Sequence, residues 1–214
     1  MAQRNVRTVQ GRPASAFFRR VALHGWDADH FTFTYKYPVL RRWLAARIVS
    51  RKKILAIGSG RGELERDLAR LGHHLVSLDF SFAMVRAAAM CYKLQAVVQA
   101  DAHALPFDVA SFDLVLLPES LGYLQADVAF REAARVLKKR GRLMITTYPP
   151  HLPAHAVYKK RSLGEIVVLL HQADMVVDQY RFLTIKRAGI GEELAEEESD
   201  LLYLLARKRG PSRK

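Results

Sequence analysis

Gly58, Gly60 and Gly62 stand at alternate positions in Gly58-Ser59-Gly60-Arg61-Gly62, directly after the apolar run Ile54-Leu55-Ala56-Ile57. Glycine permits a tight turn and lets a ligand approach bare backbone. Where a helix starts just beyond such a turn, its unpaired N–H groups favour a negatively charged group. A second apolar run ends in Leu78-Asp79-Phe80, nineteen positions after Gly60. An acid at the carboxyl end of the second strand of a strand-helix-strand unit is placed to accept hydrogen bonds from both hydroxyls of a ribose. Asp101 and Glu119 follow two further hydrophobic runs in the same way. The chemistry on offer is therefore the binding of a nucleoside-bearing ligand. The dinucleotide fingerprint G-x-G-x-x-G asks for glycine at position 63, and this chain has Glu63 there with glycine at 62.

These groups need a frame that brings the ends of several strands together. The pattern predicts a strand on the apolar run Ile54–Ile57, a helix over Arg61–Leu71 and a strand over His74–Asp79. Ser81 then caps a helix over Phe82–Tyr92 that turns Val85, Ala88 and Ala89 to the sheet. A third strand over Gln95–Gln99 and a fourth over Ser111–Leu117 follow, the latter continuously apolar as when both faces are covered. A helix from about Ala126 to Lys139, with Phe130, Ala134 and Leu137 inward, is expected to break at Gly141 and lead into a fifth strand, Arg142–Thr147. Strands alternating with helices give an α/β fold, a doubly wound and mostly parallel sheet whose ligand site lies beyond the carboxyl ends of its strands. Gly58, Asp79, Asp101 and Glu119 all fall at those ends. A helix near Ser162–Gln172, a strand within Val176–Ile185, an acidic loop with Glu192, Glu193 and Glu196 to Glu198, and a last strand, Leu201–Arg207, complete the chain. The final two strands lack a helical pattern between them and predict an antiparallel hairpin closing the sheet edge.

With 214 residues, half of them hydrophobic, the chain can bury a sizeable core. We expect a single domain over 14–209, flanked by a disordered basic tail at 1–13 and a basic tail at 210–214. Within it, 14–50 forms a helical and aromatic segment: Phe17, Phe18, Val21 and Leu23 suggest a short helix, and His24 to Tyr37 could close over a ligand as a partial lid. Pro38 then opens a helix with Leu40, Leu44 and Ile48 on one face. The polar, cationic start lacks the apolar core of a signal peptide, and the longest aliphatic run, Ile166 to Leu170, is too short to span a bilayer. The lone Cys91 forms no internal disulfide and no cysteine zinc site, so no metal is expected and the cytoplasm is the expected location. A net charge of +13 raises the question of a polyanionic partner, but most basic clusters flank predicted elements, where charges serve solubility and helix ends.

Taken in order, ILAIGSGRG, LDFS, ADAHALPF, FDLVLLPESLGYL and ARVLKKRGRLMIT resemble the successive motifs of a class I S-adenosylmethionine-dependent methyltransferase, of the branch that includes quinone-biosynthesis and many small-molecule enzymes. The resemblance is good over Lys52 to Thr147 and looser from Ser162 to Arg209. It implies a Rossmann-like, seven-stranded sheet and an S-adenosylmethionine site. Gly58, Ser59, Gly60 and Gly62 would admit the methionine and ribose part, Asp79 would bind the ribose hydroxyls, and Phe80 and Met84 would flank the adenine. Asp101 and the backbone of Ala102 would bind the adenine edge, and Leu117, Pro118 and Glu119 would sit near the methionine amine and sulfonium. The family's usual acidic residue, which helps orient that amine, is replaced here by Ala56, and Glu119 is the candidate substitute for that role.

The resemblance announces no general base. His24, His30, His151 and His155, with Tyr35, Tyr37 and Tyr148, lie in segments that can border an acceptor pocket, though surface and packing roles come first for each. The expected partner is a small-molecule acceptor, aromatic or apolar, against the lining of Trp26, Phe31, Phe33, Tyr35 and Tyr37. An RNA- or ribosome-directed methyltransferase is the alternative that the charge supports, but no separate RNA-binding motif is visible and the fourth strand exits without an Asn-Pro-Pro-Tyr type of sequence. A nicotinamide-dependent enzyme or a non-catalytic nucleotide-binding module is the third reading. Oligomeric state is not legible in the sequence.

Overall fold

The computed structural model describes residues 18, 19, 22, 37–152, 158–186, 189–191 and 195–209. The strands are β1 (Lys53–Ile57), β2 (His74–Asp79), β3 (Val97–Gln99), β4 (Phe112–Pro118), β5 (Leu137–Thr147), β6 (Met175–Lys186), β7 (Gly189–Gly191) and β8 (Leu201–Lys208). They form one sheet in the order β3-β2-β1-β4-β5-β8-β6-β7. The pairs from β3 through β5 are parallel, and β8 runs antiparallel to both β5 and β6. The three-residue β7 adds to the outer edge of a seven-stranded, mostly parallel sheet.

Helices α1 (Tyr37–Ala45), α2 (Glu63–Arg70), α3 (Phe82–Tyr92), α4 (Ala126–Val136) and α5 (Leu163–Gln172) cover the sheet on both faces. Successive strand residues point to opposite faces. Ile54, Ala56, Leu114 and Leu116 accordingly pack with Leu40, Leu64 and Leu68 in one core. Leu55, Ile57, Val115 and Leu117 pack with Phe130, Ile166 and Leu170 in the other. Burial on both sides explains why β1 and β4 read as continuous apolar runs. The helix starts follow local chemistry: Ser81 Oγ accepts from Met84 N, and Ser162 and Glu165 form a reciprocal capping box at α5.

Several expectations are corrected. The helix expected to reach Lys139 ends at Val136, and Leu137 is already extended and paired with Phe112 on β4. The register then shifts so that Leu114 pairs with Arg142, leaving Lys138, Lys139 and Arg140 exposed. Gly141 therefore lies within a strand and breaks no helix; it fits there because a Cβ would stand 2.9 Å from Leu137 Cδ2. In α3 the buried positions are Met84, Ala87 and Ala88, while Ala89 is exposed. The terminal hairpin closes this edge of the sheet as expected, with its second strand, β8, next to β5 and β6 outside it. α2 starts at Glu63, β3 starts at Val97 and β4 starts at Phe112, each later than expected. Ile48 is buried but lies beyond the end of α1. Both expected tails, most of the His24–Tyr37 segment, Glu192 and Glu193 lie outside the described residues, and Glu196–Glu198 form a 3-10 turn.

Candidate active site

The turn after β1 is fastened to the end of β2, with Gly58 N and Ser59 N both donating to Leu78 O at 2.8 and 3.1 Å. Gly58 has φ +69°, and a Cβ there would meet Ser120 Cβ at 2.4 Å. Side chains are thus excluded twice, by backbone conformation and by the loop leaving β4, whose Ser120 Oγ donates to Ile57 O at 2.8 Å. Gly60 is different. Its φ is +57°, and nothing lies within 4 Å of where its Cβ would be. It offers the bare backbone a ligand needs.

Gly60 N donates to Asp79 Oδ2 at 2.9 Å, and Ser81 N donates to Asp79 Oδ1 at 2.9 Å. The carboxylate is therefore a structural clamp joining the glycine turn to the start of α3. Burial raises its pKa, opposed by the N–H groups of Ser81 and Gly60. The Phe80 N–H acts on it in the same sense, and a carboxylate with about four lone-pair sites keeps acceptor capacity for a vicinal hydroxyl. Phe80 beside it is 48% exposed and Met84 only 1%. Of the two, only Phe80 presents a free face; Met84 is buried.

Asp101 Oδ1 accepts from His103 N at 2.9 Å and lies 2.5 Å from His103 Nδ1. The far nitrogen, His103 Nε2, accepts from Gln125 N at 2.9 Å. A ring that accepts at Nε2 carries its proton on Nδ1, facing Asp101. The segment beyond is held to α4: Leu105 N donates to Glu132 Oε2 at 2.7 Å, and Arg135 donates to the carbonyls of Phe107 and Leu105 at 2.7 and 2.8 Å. Ala102 is buried in this segment.

At the exit of β4, Leu117 is buried and Glu119 takes φ +55°, its N–H donating to Thr146 O at 2.9 Å. Tyr148 OH donates a short hydrogen bond to Glu119 Oε2. Three tyrosines from separate segments meet here, with Tyr123 and Tyr158 rings 4.9 Å apart and Tyr148 and Tyr158 rings 5.6 Å apart, all edge to face. Phe18 packs edge-on against Tyr123 at 5.0 Å and so reaches this rim. Gly122 carries the Tyr158 ring, since a Cβ there would stand 2.4 Å from it. Buried Arg161 donates to the carbonyls of Leu121 and Leu124 at 3.1 and 3.0 Å and fixes the loop. Burial pushes the Glu119 carboxyl up, the Tyr158 phenol to about 12 and the Tyr148 phenol well above its ordinary value. At neutral pH these phenols are donors.

Sequence reasoning named Tyr148 but missed His103, Tyr123, Tyr158 and Arg161. It also missed Glu65. Glu65 lies in the first turn of α2, wholly buried, and among the described residues its oxygens find no partner beyond the pull of its own backbone N–H. Burial, with Glu63, Asp79 and Asp67 nearby, pushes its carboxyl up to about 8. A His two places after Asp101 and a carboxylate beside Leu64 were the only signals available. Of the candidate bases, His151 is exposed on the loop after β5, and His24, His30, Tyr35, His155 and the Tyr37 side chain lie outside the described residues.

A family model described as "Methyltransferase domain" matches residues 55–145, the stretch holding the glycine turn, Asp79, Asp101 and Glu119. A demethylmenaquinone methyltransferase of Streptomyces avermitilis is 30% identical over 165 residues, covering 74% of this chain and 71% of its own. A ubiquinone biosynthesis O-methyltransferase of Xanthomonas oryzae pv. oryzae is 29% identical, covering 61% of this chain and 58% of its own. Among solved structures, an S-adenosylmethionine-dependent methyltransferase from Thermotoga maritima superposes with a TM-score of 0.70 at 17% identity, over 91% of this chain and 99% of its own. Among the described residues no helix is long and apolar enough to cross a membrane. The chain belongs to the class I S-adenosylmethionine-dependent methyltransferases.

Proposed function

We propose that residues 14–209 form a domain that transfers the methyl group of S-adenosylmethionine to a small, hydroxylated ring compound in the cytoplasm. The observation that carries the acceptor class is the Glu119–Tyr148 pair. It sets a half-buried carboxylate and a phenol donor, beside Tyr123 and Tyr158, at the strand ends next to the glycine turn. Two of the relatives carry quinone-related names, demethylmenaquinone methyltransferase and ubiquinone biosynthesis O-methyltransferase, which agrees with a ring acceptor. The single free Cys91 fits a reducing compartment.

The residues fit the cofactor. Gly60 supplies open backbone, Gly58, Ser59 and Gly62 shape the turn that presents it, and the remaining lone pairs of Asp79 are there for a ribose diol. Phe80, being exposed, offers a face for the adenine, with Met84 buried nearby in the same helix start, and Asp101 and Ala102 border its edge. Leu117, Pro118 and Glu119 border the methionine end, where Ala56 is buried and contributes no charge. When bound, the cofactor supplies a sulfonium-activated methyl group, so this chain's own work is alignment and proton handling. Tyr148, protonated at neutral pH, keeps a hydrogen bond on Glu119 and so fixes which of its oxygens remains for an acceptor hydroxyl.

Methyl incorporation from labelled S-adenosylmethionine into a panel of hydroxylated ring compounds and into RNA tests this reading. Incorporation into the ring compounds is expected, and it should fall when Glu119 is replaced by Gln. Methylation of RNA that persists at physiological salt, with none in the panel, would overturn the acceptor assignment while leaving the cofactor site intact.

A further inference from the structure

The strand directions sort the charges of this chain. The amino ends of β1, β2, β4 and β5 share one end of the sheet, and antiparallel β8 returns its carboxyl end there, with Arg142 paired to Arg207 and Lys53 to His74. Three basic clusters distant in sequence, 51–53, 138–140 and 207–209, therefore meet at the end opposite the glycine turn. Arg70 and Lys93 join them from the carboxyl ends of α2 and α3. Asp113 binds Lys138, and Asp178 binds Arg207. Arg51, Lys52, Lys139 and Arg140 have no ion-pair partner among the described residues. The groove lined by Lys53, Arg70, His74 and Lys93 at this end contains no carboxylate.

The same end carries exposed apolar side chains. Val49 is 91% exposed between α1 and β1, Leu71 59% past the end of α2, and Met90 65% in the last turn of α3. Val109 is 67% exposed in the loop where Ala110 N bonds Arg135 O at the end of α4. Cations at helix carboxyl ends are ordinary complements of the helix dipole, which accounts for Arg70 and Lys93. It does not account for the strand-end clusters, nor for apolar residues placed among them. Cations interspersed with projecting apolar residues suit a surface of anionic headgroups over acyl chains. Single-stranded nucleic acid asks instead for aromatic platforms on which bases stack, and the exposed large side chains at this end are all non-aromatic among the described residues.

We propose that this end of the sheet docks on an anionic membrane surface, its cations against the headgroups and Val49, Leu71, Met90 and Val109 entering the interface. Docking this way leaves the cofactor end facing solution. The test is cosedimentation of the full chain with vesicles of phosphatidylcholine alone and of phosphatidylcholine mixed with phosphatidylglycerol, across a salt series. Binding is expected only to the mixed vesicles and should weaken as salt rises. Each near-surface cation contributes about fivefold, so the combined Arg51→Gln, Lys52→Gln, Lys139→Gln and Arg140→Gln variant should bind on the order of hundreds of times more weakly. Val49→Ser with Leu71→Ser should remove a salt-independent part. Calorimetric binding of S-adenosylmethionine, unchanged in each variant, shows that the fold is retained. Equal affinity for both vesicle types, no binding to either, or no loss in the four-site variant overturns the proposal. So does single-stranded RNA that binds at physiological salt where mixed vesicles do not.

Discussion

Replacing Glu65 by Gln should change how stability depends on pH. The carboxyl is wholly buried with no partner beyond its own backbone N–H among the described residues, and its pKa is pushed from 4.5 to about 8, first by burial and then by Glu63, Asp79 and Asp67, against the pull of that N–H. A carboxyl whose folded pKa is raised must hold its proton in the folded state while the unfolded chain releases it. Its contribution is therefore intact below pH 4.5 and is lost progressively as pH rises towards 8, at about 1.4 kcal/mol per pH unit. At pH 7 the accumulated loss is about 3 kcal/mol, a large part of a typical stability of about 5–15 kcal/mol. Gln is also left without a partner, so the offset between the proteins at acid pH carries no information, but Gln does not titrate. Urea unfolding of both proteins at pH 5 and pH 7 should show the difference moving in the variant's favour by about 2.5 kcal/mol. It should level off above pH 8. Parallel pH profiles would refute the reasoning, because they would mean that Glu65 finds a cationic partner or water in solution.

Gly58→Ala should cost about 2–4 kcal/mol, from the left-handed backbone and from a Cβ 2.4 Å from Ser120 Cβ, and chemical denaturation reads it directly. Asp79→Ala should lower stability by about 1.5–3 kcal/mol through the lost bonds from Gly60 and Ser81, and should weaken S-adenosylmethionine binding further in calorimetry. Normal cofactor affinity in the folded variant would make Asp79 a clamp only. Tyr148→Phe removes the hydrogen bond that holds the Glu119 pKa down and leaves the burial that raises it. The acid limb of the methyl-transfer pH profile should move to higher pH, and an unmoved limb would separate Glu119 from the proton-handling step.

Much of the frame is legible because its signals are local. Ser81 and Ser162 start their helices through their own side chains, and β2 and α3 have the predicted limits because apolar period and cap lie within a few residues. The glycine turn and Asp79 are readable for the same reason: spacing along a strand-helix-strand unit fixes where its strand ends fall. Leu137 shows where this stops. Its neighbours favour continuing α4, but pairing with Phe112 on β4 draws it into the sheet, a contact between residues 25 positions apart. The insertion of β8 between β5 and β6 is likewise a choice among strand partners that no window of sequence contains. That choice brings Arg207 to Arg142 and makes one basic end out of scattered clusters. The tyrosine wall around Glu119 gathers residues 123, 148 and 158 from three loops, and Glu65 became a buried acid only when α2 packed down. Local chemistry in the sequence determined the elements and the cofactor end; burial, pairing and the environment of each charge were decided by tertiary packing, because they depend on neighbours that are distant along the chain.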